Sequence, residues 1–206
     1  MDNRTTAVID ADFFRNATEY DRSTTFFLRI LDEMEMKPVM HESVAETELS
    51  QNQYLDQLLQ SGRIAVVRYE DYLRDDTDKE EYKEYFLDAY ERINHLEFPA
   101  DEDIYKYSDQ KESLGEIRSL YMAMKKGYHY FMSDDGDSKF LAKNYFSSKH
   151  AIEVNSLYDV LVKCKEKGTT LTWKDINPTV SNAMNKRQDK IENLKELYIK
   201  HNEKRF

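Results

Sequence analysis

Four stretches of the chain place carboxylates where a strand is expected to end, or close beside such an end. They are Asp10 and Asp12, Glu46 and Glu48, Glu116, and the run Asp134, Asp135 and Asp137. Carboxylates gathered in one cleft disfavour each other's ionisation, and a divalent cation relieves that repulsion. Cys164 is the single cysteine, and the five histidines (His41, His95, His129, His150 and His201) have no ligand-like spacing. Zinc held by thiolate or imidazole is therefore not expected. The histidines read as structural or exposed. What remains is hard-oxygen chemistry, and Mg²⁺ suits it because it binds through few carboxylates and keeps several waters.

Each acid also has a plainer reading. Ser113 and Glu116 have the spacing of a capping box, which explains the glutamate without a metal. Glu46 and Glu48 read equally well as solvated helix residues, and Asp134 to Asp137, with its Asp-Gly step, as a turn. Asp10 resists such a reading, since a carboxylate that ends an apolar strand beside a second carboxylate is costly to bury unpaired.

The elements that would position these acids follow from periodicity. Ala7-Val-Ile-Asp-Ala-Asp12 is expected as a strand whose two carboxylates, at i and i+2, share one side. Ser23 can cap a helix with Phe26, Phe27, Ile30, Leu31 and Met34 on its apolar face, and Pro38 bars continuation. Glu42 to Leu59 reads as one or two helices and Arg63 to Val67 as a second strand. Tyr82, Tyr85, Phe86, Ala89, Tyr90, Ile93 and Leu96 recur at helical spacing. Next come helix 113–126, strand 128–132, helix 138–146, strand 151–154 and helix 156–167, with Gly168 as a stop. A long helix is expected from about Pro178 to His201. Strands alternating with helices predict a mostly parallel sheet, with ligands collecting outside its C-terminal edge.

Composition agrees with a soluble, intracellular, helix-rich protein: 206 residues, 40% hydrophobic and 34% charged, with only five Gly and three Pro. No stretch reads as a signal peptide or is apolar enough to span a bilayer, so cytoplasmic location and no membrane contact are expected. The formal charge of −10 stands at odds with a nucleic-acid ligand. It is confined to Arg68 to Glu116, where seventeen acids face seven bases. The rest of the chain is close to neutral.

Val8-Ile-Asp-Ala-Asp-Phe-Phe14, Val44-Ala-Glu-Thr-Glu-Leu49, Leu114-Gly-Glu-Ile-Arg-Ser-Leu-Tyr-Met-Ala123 and Phe131-Met-Ser-Asp-Asp-Gly-Asp-Ser-Lys-Phe-Leu-Ala142 together resemble the PIN domain nucleases in order and spacing. The resemblance covers residues 7 to about 155. It implies a three-layer α/β/α domain over 1–155, with the acidic helical segment 68–112 as an elaboration and 156–206 as a helical extension. It implies Mg²⁺ or Mn²⁺ held by Asp10, Glu48, Glu116 and Asp134, supported by Asp135 or Asp137, with Asp12 and Glu46 nearby and Lys139 on substrate phosphate. The implied activity is phosphodiester hydrolysis, usually of RNA or another single-stranded nucleic acid. The chain exceeds the small ribonucleases of toxin–antitoxin pairs by its acidic segment. Asp10-Ala-Asp12 and Ser133-Asp-Asp-Gly-Asp137 also imitate haloacid-dehalogenase phosphohydrolases. A vestigial site on an interaction protein, with the acidic segment meeting an inhibitor or other basic partner, is the third reading. Val180, Met184, Ile191, Leu194 and Tyr198 form a heptad-like stripe, usable for a homodimer seam or for packing on the same domain.

Overall fold

Strand β1 (Thr5–Ile9) occupies the middle of a five-stranded sheet of order β3-β2-β1-β4-β5, with β2 at Met36–His41, β3 at Ala65–Val67, β4 at Tyr130–Met132 and β5 at Glu153–Asn155. Every neighbouring pair is parallel, and Val8 lies opposite Val39 on one side and Phe131 on the other. The computed structural model describes residues 4–19, 22–108, 113–146 and 151–200. His150 and His201 lie outside them.

Successive β1 residues serve opposite faces, as a strand requires. Ala7 and Ile9 join a core with helices α1 (Ala11–Thr18), α2 (Thr25–Glu33), α3 (Gln53–Gln60) and α7 (Leu157–Glu166), α8 (Trp173–Ala183) and α9 (Gln188–Lys200). Val8 joins a second core with α4 (Asp76–Asn94), α5 (Leu114–Lys126) and α6 (Gly136–Tyr145). The architecture is therefore three-layer α/β/α, and residues 156–200 cover one face of the sheet.

Strand β2 departs from the sequence reading, in which Pro38 ended a helix. Pro38 lies inside an interior strand, opposite Ala7. A proline there forfeits a ladder donor, about 1 kcal/mol net. Met36, Val39 and Met40 are buried around it, each contributing roughly 1.5–3 kcal/mol. Burial wins.

Within the acidic segment helix α4 forms, with Tyr82, Phe86, Ala89 and Tyr90 fully buried, but it ends at Asn94 and Leu96, expected on the same face, is exposed. The long C-terminal helix does not form as one piece. It divides into α8 and α9 around Met184 to Arg187, where an unbroken helix would have carried Arg187 into the apolar stripe. Val180, Met184, Ile191, Leu194 and Tyr198 are all buried in the core they share with β1, so this stripe is not a free dimer seam. Tyr198 is fully buried and its hydroxyl donates to the Leu161 carbonyl at 2.7 Å. Tyr198→Phe should cost about 1 kcal/mol, a fall of roughly 2–4 °C in Tm, with no change in mass by light scattering. Among the described residues no helix is long and apolar enough to cross a membrane.

Candidate metal centre

The connection leaving β1 runs towards β2, and that leaving β4 runs to β5 on the other side. The crevice beyond these two strand ends is where ligands settle in open parallel sheets. Asp10 stands in it. Its N–H still bonds the Met132 carbonyl at 3.0 Å, continuing the ladder, and its extended backbone makes it the N-cap of α1 without a side-chain cap bond. Oδ2 accepts from the Ser133 hydroxyl at 3.0 Å, and Ser133 Oγ in turn accepts from Ser138 Oγ at 2.9 Å and from the Asp135 N–H at 3.1 Å. Oδ1 is buried and has no hydrogen-bond partner among the described residues.

Glu48 and Glu116 converge on this carboxyl from opposite elements. Glu48 ends a π-helical turn, Val44–Glu48, a form that recurs at functional sites. Its carboxyl lies so close over α5 that a Cβ at Gly115 would collide with Oε1 and press on Val44 Cγ2 at 3.2 Å. Glu116 follows directly. The expected capping box is absent, because the Ser113 hydroxyl donates to Asp137 at 2.9 Å and caps nothing. The Glu116 carboxyl is left to the crevice.

The electrostatics match a crowded acid site. Burial pushes Asp10 well above the ordinary carboxyl range, with Glu48 and then Asp12 adding to it. Glu116 is raised strongly by burial, then by Asp10, Glu48 and Asp135. Burial raises Glu48 to about 7, with Arg15 and Arg118 opposing and Asp12 assisting. Glu48 as a residue is exposed, so it stands at the crevice mouth, where solvent screens part of this effect. Asp135 is raised by burial and then by Asp137 and Asp12.

Gly115→Ala separates site from scaffold. Alanine favours a helix by about 1 kcal/mol over glycine, and the atom in its way is the end of a flexible side chain. The variant should keep wild-type Tm within a few degrees while displacing Glu48. Mn²⁺ affinity by calorimetry should fall about 10-fold, the lower end of what disturbed ligand support costs.

Several sequence expectations need correction. Asp12 is not on a strand beside Asp10. It lies in the first turn of α1, exposed, and pairs with Arg15 at 3.3 Å. Glu46 is drawn away by Arg68 at 2.6 Å, which also holds Glu42. Asp134 does not enter the cluster: its oxygens accept from Asn16 Nδ2 at 2.8 Å and from the Leu157 N–H at 2.9 Å. Neighbouring side chains leave an extended segment on opposite sides, so Asp135 faces the acids in its place. Asp135 also caps α6 through the Asp137 N–H at 2.8 Å. Lys139 is not a free cation, being paired with Asp159 at 3.0 Å. His41 is structural: Nδ1 accepts from the Ser43 N–H, Nε2 bonds Tyr72 Oη at 2.9 Å, and burial lowers its pKa to about 3.

Arg15 and Arg118 are additions to the sequence reading. Arg15 donates to the Glu48 carbonyl at 2.7 Å, tying α1 to the π turn; its i+3 spacing from Asp12 is the signal for it. Arg118 is buried, donating to the carbonyls of Ile104 and Tyr107 at 2.8 and 2.7 Å. Nothing local in the sequence marks it.

A hard divalent cation suits the chemistry of this donor set, because Asp10 Oδ1 is buried without a partner among the described residues and the neighbouring Glu48 and Glu116 carboxyls are raised by burial and by the other acids. Among the described residues no three His, Cys, Asp or Glu groups already stand at a shared ligating distance. Binding would therefore draw the flexible Glu48 and Glu116 side chains inward. No protein-family profile, curated protein or solved structure matches this chain.

Proposed function

We propose that the crevice is the active site of a metal-dependent phosphodiester hydrolase acting on nucleic acid, most simply an endoribonuclease of PIN type. The observation that carries this reading is Asp10 Oδ1, buried and without a partner among the described residues at the sheet's switch point, where Glu48 raises the Asp10 carboxyl and Asp10 raises that of Glu116. Asp10, Glu48 and Glu116 would hold Mg²⁺ or Mn²⁺, with Asp135 behind them. The bound ion would neutralise charge on the scissile phosphate and lower the pKa of an attacking water. Ser133 and Ser138 fix the Asp10 rotamer through their hydroxyl chain. Arg15 steadies Glu48 through its carbonyl.

The acids protonated by burial would release their protons as cation enters, so affinity should rise with pH. The presence of Glu48 and Glu116 beside Asp10 favours this reading over an aspartyl-phosphate mechanism, which gives those glutamates no role. The test is incubation of pure protein with mixed RNA and DNA, with Mn²⁺ or with chelator. Metal-dependent cleavage supports the proposal. Absent cleavage together with absent Mn²⁺ heat in calorimetry would favour a vestigial site on an interaction protein.

A further inference from the structure

The connection between β4 and α6 has a second side. Asp134, turned away from the acids, lines a cavity of about 240 Å³ with Ser156 and Tyr158 at the start of α7 and Lys186, Arg187 and Lys190 around the α8–α9 turn. Among the described residues none of these three cations is held in an ion pair by a carboxylate. Asp134 is in no ion pair with them, its oxygens accepting from Asn16 and the Leu157 N–H, and its single charge leaves the recess net positive. Lys190 instead places its ammonium 4.8 Å from the Tyr158 ring centroid. Lys139, by contrast, is already bound to Asp159.

Three cations against one carboxylate around one recess favour an anion. The recess adjoins the acidic crevice. Asp134 and Asp135 are consecutive residues facing the two sites, and Asn16, which holds Asp134, lies one helical turn beyond Asp12 on α1. A phosphodiester strand leaving the acids on the Asp134 side would therefore meet the cations next. Cations at that distance also answer a physical need, since an acidic crevice repels a polyanion until some neighbouring surface holds it.

We infer that the recess formed by Lys186, Arg187 and Lys190 grips the backbone phosphates of a single nucleic-acid strand and leads it into the acidic crevice. This rests on the hydrolase reading for the strand's identity. A concave recess of this size accepts a flexible strand, whereas a duplex presents its phosphates on a stiff convex cylinder. Lys190 covers the Tyr158 ring, so the aromatic face is not offered to a base. The grip reads backbone charge and carries no base preference.

The experiment is fluorescence anisotropy of a labelled ten-nucleotide oligouridylate RNA in chelator, titrated with salt, using the full chain. Lys186→Gln/Arg187→Gln/Lys190→Gln should weaken binding at least 10-fold. Because each of the three cations neutralises one single-strand phosphate, removing them should lower the slope of log affinity against log salt by about 2. The substituted residues lie at or near the surface, and an unchanged Tm would show that the fold survives. Lys186→Gln/Arg187→Gln alone, expected to remove two-thirds of the slope change, is the second readout. Unchanged slopes would overturn the proposal, and so would tighter binding of polyglutamate than of RNA. Its failure is separable from that of the hydrolase reading. Lowered slopes without any Mn²⁺-dependent cleavage sink the enzyme and keep the grip, while cleavage with unchanged slopes does the reverse.

Discussion

Asp10→Asn should abolish metal-dependent cleavage, by about 10³-fold or more, on the order of 4 kcal/mol in activation free energy. The substitution keeps shape and rotamer, since Ser133 can still donate to the amide oxygen, but it removes the charge that the other acids cannot supply from the same place. Circular dichroism should be unchanged. Calorimetry should show Mn²⁺ affinity falling with activity. A variant cleaving at the wild-type rate would end the assignment of the site, whatever the fate of the basic recess.

The second large effect is on stability against pH in metal-free buffer. Asp10, Glu48 and Glu116 have folded-state pKa values raised above their unfolded ones. Between pH 6.5 and 8.5 the unfolded chain has lost these protons and the folded chain retains some. Stability therefore falls as pH rises, by up to about 1.4 kcal/mol per pH unit for each retained proton. A loss of about 2 kcal/mol across the window is expected, or roughly 4–8 °C in Tm. His41, held neutral by burial, has the opposite sign and acts below about pH 6.5, outside this window. Asp10→Asn should flatten the slope. Saturating Mn²⁺ should abolish it and raise stability throughout, by about 2.7 kcal/mol at 100 times the dissociation constant. A flat metal-free profile would mean that the carboxyls are not gathered as described.

Strongly periodic segments were legible in the sequence. Helices α2, α4 and α5 announce themselves through apolar repeats that pack as spaced, and β1 through its short branched run. Strand β2 was hidden because proline argues locally against a strand, while the burial that outweighs it comes from partners far along the chain. The division of α8 from α9 was hidden because a heptad count tolerates one interruption and Arg187 does not. The acid types were readable; their directions were not. Asp134 and Asp135 exchange roles on a single step of register. Whether Glu116 caps its helix depends on Ser113 finding Asp137, 24 residues away. Gly115 gave no sign that it clears space for Glu48, since close approach is a property of two segments together.

The strand order has a consequence for how this protein is made. β1 is made before the other strands of its sheet and belongs at the middle of it, but β4, which closes one of its edges through Ala7, Val8 and Ile9, begins only at Tyr130. At about 5–20 residues per second, roughly 6–25 s of synthesis separate the two. For that time the nascent chain carries a central apolar strand with one row of backbone groups open, a template for pairing with other chains. Expression yield should accordingly depend on translation speed between α4 and β4 and on chaperone supply more than on the stability of the finished fold.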